Sequence, residues 1–433
     1  MKKATTKIAK AKKIAILGFA KEGKSIFKFL KAGKKYKNYK IEIRDQTQGK
    51  NYLKNLSSFD IIFRSPGVPY TLPQLYKARC SGIEISSATK LFFENVKKYR
   101  RKIIGVTGTK GKSTTVTLIH KILKKSGFKT ILAGNVGNPM LNVIRQAPKS
   151  DYIILELSSF QLQDLSVSPH IAVVLDVFPD HQNIHKSLRE YYGSKTNIGR
   201  FQKKSDYIFY FKNNKLSSDL ASKSPAKKIG VNVENNIQKN KIMAATVAEK
   251  IGCPQKLIRK IVNNFRGLEH RLELTRIMEY SKAKEKTRIL FYNDSAATNP
   301  EATAMAIRST KDSIILIAGG KEKKLDYSPL VKEIKKSKKV KVVVLFGENK
   351  RKLETKIAKL KPGIKIIICP NLKYAVELAY KNAKFLSGQN YPQISVLFSP
   401  ASTSFDMFKN YADRGAQFKK EIKKLKQRPL MDQ

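Results

Sequence analysis

The 433-residue chain is short of acids, with 33 Asp and Glu against 87 Lys and Arg, a formal net charge of +54. Cysteine is scarce as well. Cys80, Cys253 and Cys369 are odd in number and far apart, which argues against a disulfide framework or a zinc site and predicts buried thiols in a reducing compartment. No apolar run approaches the roughly 18 residues that cross a bilayer. The basic start "MKKATTKIAKAKK" leads into only "IAILGFA" before the next charge, too short for a secretory signal core. A cytoplasmic protein with no membrane partner is expected. Gly and Pro are few (23 and 16) beside 41% hydrophobic residues, a globular composition, and the length calls for two or three domains.

The excess of lysine raises the question of nucleic acid, because Lys and Arg release counterions from a phosphate backbone. Its distribution argues against that. The lysines run through "KAGKKYKNYK", "VKKYRRK", "KEKK" and "EIKKSKKVK" without gathering into one patch, and no RNP or zinc-finger signature accompanies them. A solvated basic surface that attracts anionic ligands is the simpler reading, and polyanion binding the other. No nucleic-acid partner is expected.

Three alternating α/β blocks follow one another. In the first, "IAILG", "IEIRD" and "FDIIFRSPG" read as strands around a helical "FAKEGKSIFKFL". Gly18 and Gly23 suit a phosphate-binding turn, but Ala20 takes the middle glycine position. Asp45, ending the second strand, suits a ribose or base contact and equally a turn carboxylate. The second block, from about residue 101 to 268, has strands "KIIGVTG", "KTILAG", "DYIILEL" and "IAVVLDV"; the third has "RILFYND", "SIILIAGG", "KVVVLFG", "IKIIIC" and "QISVLFSP". Mostly parallel sheets covered on both faces are predicted, with ligands beyond the carboxyl ends of the strands.

"GVTGTKGKSTT", residues 105 to 115, sits at such a strand-to-helix turn. Backbone amides over Gly108, Thr109, Lys110, Gly111 and Lys112 would cradle phosphates, Lys112 would add a point charge, Ser113 a hydroxyl for Mg²⁺, and Thr114 follows. Glu156 ends the strand "DYIILE" as a metal ligand would, or serves as a favourable charge at a helix start. His181, in "FPDHQNIH", is one of only five histidines and also follows a strand, so it is either a ligand or a surface-loop histidine.

"TGTKGKSTT", "LELSSFQL", "DHQNIH", "EHRLE", "NDSAATN" and "LFSPASTSFDMFKNYADRGAQF", in that order along nearly the whole chain, resemble the Mur ligase family, and in particular its D-glutamate-adding branch. The resemblance implies three α/β domains: a Rossmann-like UDP-sugar-binding domain (1–100), a central P-loop-type ATPase domain (101–268) and a Rossmann-like amino-acid-binding domain (269–433). It implies ATP-driven amide formation, in which the carboxylate of UDP-N-acetylmuramoyl-L-alanine is phosphorylated and the amine of D-glutamate attacks the acyl phosphate. Matched positions put ATP on the loop residues above and on Asn240, His270, Arg271 and Asp294. They put the UDP-sugar on Gly18, Asp45, Ser65, Gly67, Asn135 and Ser158, and D-glutamate on Thr298, Lys323, Ser404 and Tyr411. Two Mg²⁺ ions are implied, at Ser113, Glu156, His181 and Lys195, with Lys112, His181 and Lys195 as the catalytic set. Lys195 is expected to carry a carbamate formed with CO₂, which requires a neutral amine and turns a cation into an anion suited to a metal. Otherwise it is one solvated lysine among many. A monomer with small-molecule partners is expected.

This chain departs from the family pattern at three places. Ala296 stands where the family has lysine in "DSKATN", the stretch "ENNIQKNKIMAA" has no histidine, and Tyr411 replaces a common Phe. The competing functions are a sister amide ligase such as a folylpolyglutamate synthase, a P-loop ATPase on nucleic acid, and a non-catalytic binding protein on the same fold.

Overall fold

The computed structural model describes residues 12–179, 185, 187–233, 239–282, 285–322, 325–387, 389 and 391–426. Two compact units divide the chain at Phe265/Arg266. The first holds two parallel sheets. Strands β1 (Lys13–Leu17), β2 (Lys40–Arg44), β3 (Ile61–Arg64) and β4 (Glu84–Ser86) pair in the order β2-β1-β3-β4. Strands β5 (Ile103–Thr107), β6 (Thr130–Gly134), β7 (Tyr152–Glu156), β8 (Ile171–Val174), β9 (Tyr207–Phe211) and β10 (Lys227–Val231) pair in the order β10-β9-β8-β5-β7-β6. β5 is buried along its whole length, as a central strand covered on both faces must be. After β5 the chain runs out to the edge of the sheet at β6, comes back in with β7 between β6 and β5, and then crosses to the other side of β5 with β8. The loop after β5 therefore lies where strand order reverses, the crevice in which open α/β sheets hold ligands.

The second unit carries β11 (Glu273–Lys282), β12 (Glu285–Asn293), β13 (Ser313–Gly319), β14 (Val340–Phe346), β15 (Lys365–Ile368) and β16 (Gln393–Phe398), in the order β11-β12-β16-β13-β14-β15. Its pairings are parallel except for β11 against β12. The α/β class and the parallel sheets agree with the sequence reading. Cys253 and Cys369 are buried, but Cys80 is exposed at the end of the helix Pro73–Cys80, a correction to the expectation of three buried thiols. Among the described residues no helix is long and apolar enough to cross a membrane.

Candidate active site

The turn after β5 is shaped by its glycines. Gly111 has φ +84° and caps the helix Lys112–Lys125; a Cβ there would collide with the side chain of Asn240. Asn240 is thus in place against the loop, although its helix opens without the family's histidine. Lys112 Nζ folds back onto the carbonyls of Gly108 (2.9 Å) and Thr109 (3.0 Å). Thr109 is held by the Asp176 carbonyl on its N–H (2.7 Å) and by the Tyr191 hydroxyl on Oγ1 (2.8 Å). Ser113 is buried in the first turn of the helix, while Lys110 is exposed and Thr114 half-buried.

Lys195, from the helix Leu188–Arg200, is 2% exposed, so the solvated-surface alternative does not hold. Its Nζ donates to Gly108 O at 2.9 Å, the same oxygen that Lys112 reaches, and lies 4.7 Å from the Tyr191 ring centroid. Two ammonium groups on one carbonyl mark the loop as a place for negative charge. Glu156, at the end of β7, is 4% exposed and its Oε2 has no hydrogen-bond partner among the described residues. A buried carboxylate oxygen left without a donor is costly unless a cation joins it. Ser113 and Glu156 supply the hard oxygen ligands that Mg²⁺ prefers, so these residues fit the ion. His181 lies outside the described residues.

A cleft of about 360 Å³ is lined by Gly18, Asp45, Ser65, Gly67 and Asn135 together, five of the six residues matched to the UDP-sugar. Gly18 has φ +83° and its carbonyl accepts from Ser65 Oγ (2.8 Å); a Cβ on Gly23 would strike that same carbonyl, so both glycines are needed despite Ala20. Asp45 takes the N–H groups of Phe19 (2.7 Å) and Thr47 (3.0 Å), which hold its carboxyl below the usual range. It is a turn carboxylate that also faces the cleft. The sixth residue, Ser158, caps the short helix Ser159–Leu162 in a reciprocal box with Gln161.

In the second unit Asp294 follows β12, 7% exposed, accepting from Leu272 N (3.2 Å) and Ser399 Oγ (2.7 Å); burial pushes its carboxyl up to about 6. His270 (φ +62°) meets Asn293 Nδ2 through Nδ1 at 2.9 Å, and burial lowers its imidazole below the ordinary value. Arg271 is exposed. Ala296 gives its N–H to His270 O (3.0 Å), and Tyr411, 47% exposed, stands edge-on to His270 at 6.4 Å. Thr298 is half-buried and Ser404 buried, whereas Lys323 lies outside the described residues.

Four residues near these sites escaped the sequence reading. Arg64 is buried, donating to Val68 O and Phe160 O, both at 2.9 Å, so β3 is tied to the segment after β7. Gln161 donates to Glu22 across the same boundary at 2.6 Å. His185 stacks on Phe160 (4.9 Å, 8°) and meets Ser159 Oγ at 3.0 Å. Arg414, fully buried, donates to Ser295 Oγ and O and so fixes the 294–298 turn. The late "H" of "DHQNIH" and the "RG" of "YADRG" were available as signals.

The parallel sheet and its glycine turn at the strand-order reversal define a phosphate-loop α/β protein. The Mur ligase middle domain matches residues 106–272, and the Mur ligase, glutamate ligase domain matches residues 271–400. A UDP-N-acetylmuramoylalanine--D-glutamate ligase from Acetivibrio thermocellus is 36% identical over 420 residues, covering 86% of this chain and 84% of the relative. Among solved structures, the UDP-N-acetylmuramate-alanine ligase of Thermotoga maritima superposes with a TM-score of 0.53 at 14% identity, over 95% of this chain and 99% of that one. The folylpolyglutamate synthase of Mycobacterium tuberculosis gives 0.53 at 10% identity, over 76% and 94%. These two likenesses concern the fold alone. The chain belongs to the Mur ligase family.

Proposed function

We propose that this protein is the ATP-dependent ligase that joins D-glutamate to UDP-N-acetylmuramoyl-L-alanine in peptidoglycan precursor synthesis. The observation that carries the choice of substrates is the 36% identity to a relative of that name over most of both chains. The fold alone does not separate it from a folylpolyglutamate synthase, since both solved structures superpose equally well.

A carboxylate oxygen is a poor leaving group, and phosphorylation corrects that. The loop amides of 108–112 and Lys112 hold the phosphates of ATP while a carboxylate oxygen of the substrate attacks the γ-phosphorus and ADP leaves. The amine of D-glutamate then attacks the acyl phosphate, and phosphate departs with the oxygen it took from the carboxylate. Ser113, Glu156, His181 and a carbamylated Lys195 would hold Mg²⁺, which would supply neutralisation of the phosphate charge. Asn240, His270, Arg271 and Asp294 bind the nucleotide in this reading. Gly18, Asp45, Ser65, Gly67, Asn135 and Ser158 bind the UDP-sugar, and Thr298, Lys323, Ser404 and Tyr411 the D-glutamate. The domains are then 1–100, 101–268 and 269–433, acting as a monomer in the cytoplasm.

Purified protein with ATP, Mg²⁺, UDP-N-acetylmuramoyl-L-alanine and a panel of D- and L-amino acids tests this by mass spectrometry of the product. Amide formation with D-glutamate above all others is expected. Preference for an L-amino acid, or turnover of a folate in place of the sugar, overturns it.

A further inference from the structure

Beyond the ends of β13, β14 and β16 the chain comes together backbone to backbone. A Cβ on Gly320 would strike Thr403 O at 2.4 Å, and one on Gly347 would strike Gly320 N at 2.6 Å. Asn349, two residues after Gly347, sits in this junction and is 1% exposed. Its backbone N–H donates to Gly320 O at 3.1 Å, and its side-chain Oδ1 accepts from Gly320 N at 2.9 Å. The amide is fixed in that sense, because a backbone N–H only donates. Its Nδ2 then donates to the Tyr327 hydroxyl (2.7 Å) and to Ser402 Oγ (2.6 Å), both on fully buried residues.

These partners belong to two segments. Gly320 and Tyr327 flank the stretch after β13, and Lys323 lies between them in sequence. Ser402 precedes Ser404 by two residues in the turn after β16. A backbone bond, Lys321 N to Thr403 O at 2.9 Å, also crosses between the segments. One planar amide thus ties both ends of the first stretch to the root of the second. Asn349 is too buried to meet a ligand, so any effect it has on one passes through these partners.

D-glutamate carries two carboxylates, and Lys323 and Ser404 are the cation and one of the hydroxyls read above as its contacts. A ligand held by groups on two segments depends on how those segments are spaced. The geometry points to Asn349 as a positioning residue for the dicarboxylate amino acid: its amide sets the spacing of the 320–327 and 402–404 segments, and through it the affinity for D-glutamate. This rests on the reading of Lys323 and Ser404 as D-glutamate contacts, and adds the residue that aligns them.

Steady-state amide formation by the full chain, with ATP, UDP-N-acetylmuramoyl-L-alanine and D-glutamate varied in turn, tests it. Asn349→Leu keeps the volume and removes every side-chain hydrogen bond. The KM for D-glutamate is expected to rise about 10- to 100-fold, while the other two KM values move by less than about twofold. Asn349→Asp is expected to stay near the wild type, because a carboxylate accepts from the Gly320 N–H and from both hydroxyls. Ser402→Ala loses one of these bonds and is expected to raise the D-glutamate KM in the same selective way, a result that does not depend on Asn349→Leu folding. Equal changes in all three KM values, or a lowered melting temperature with an unchanged D-glutamate KM, assign Asn349 to stability alone and overturn the inference. A D-glutamate KM as high in Asn349→Asp as in Asn349→Leu also overturns it. Failure of the wild type to use D-glutamate removes the reading of the site itself, and the inference with it.

Discussion

Lys112 and Lys195 converge on one carbonyl oxygen, that of Gly108, each at 2.9 Å. Lys112 is continuous with the loop, but Lys195 arrives from a helix 87 residues further on. If Lys195 works as a carbamate, Lys195→Ala loses nearly all ligase activity, and short carboxylic acids in the buffer restore part of it by replacing the anion. Rescue by alkylamines and not by acids contradicts the carbamate and makes Lys195 a phosphate-binding cation. Asp294 gives a second test at this scale. Its carboxyl sits near about 6 in the fold against an ordinary 3.8, so the folded state holds the proton more tightly than the unfolded one. Stability therefore falls as pH rises from about 4 to about 6 and is level above, a loss of about 3 kcal/mol at most. Urea midpoints of the wild type and Asp294→Asn over that range should diverge; parallel curves refute the burial argument.

At the scale of elements, the loop after β5 depends on Gly111 fitting under Asn240. Gly111→Ala places a Cβ against that side chain at φ +84°, and is expected to cost about 1–2 kcal/mol and most of the nucleotide affinity. The double variant with Asn240→Ala should recover part of the stability, since the steric share is relieved and the backbone strain stays. Additive losses in thermal melts count against the contact. The buried parallel strands were legible because apolar runs such as "IIGVT" and "YIILE" end in Gly, Glu or Thr. Strands β4, β9, β10 and β11 were not read. β4 has three residues, β10 begins with two exposed lysines, and β11 is an antiparallel edge rich in polar residues. Glycine loops and strand-end acids are local signals and read well. Glu22 with Gln161, or Arg414 with Ser295, are pairs 139 and 119 residues apart, and only folding brings them together.

For the whole molecule, the net charge of +54 is spread along the chain and not assigned to any one partner. Its general effect is a positive potential that draws in anions such as ATP and a nucleotide sugar. Association rates for both, followed by stopped flow, should fall as salt rises from about 0.01 to 0.15 M, because the screening length shrinks from about 30 to about 8 Å; rates independent of salt contradict this. The central claim is chemical: the sugar's carboxylate is activated by phosphoryl transfer from ATP before D-glutamate attacks. The measurement that bears on it most directly uses UDP-N-acetylmuramoyl-L-alanine labelled with ¹⁸O in its alanyl carboxylate, with ATP, Mg²⁺ and D-glutamate, and mass spectrometry of the phosphate released. One ¹⁸O atom in each phosphate formed alongside amide product is the predicted result. Unlabelled phosphate, or ADP formed equally fast without the sugar, would contradict it.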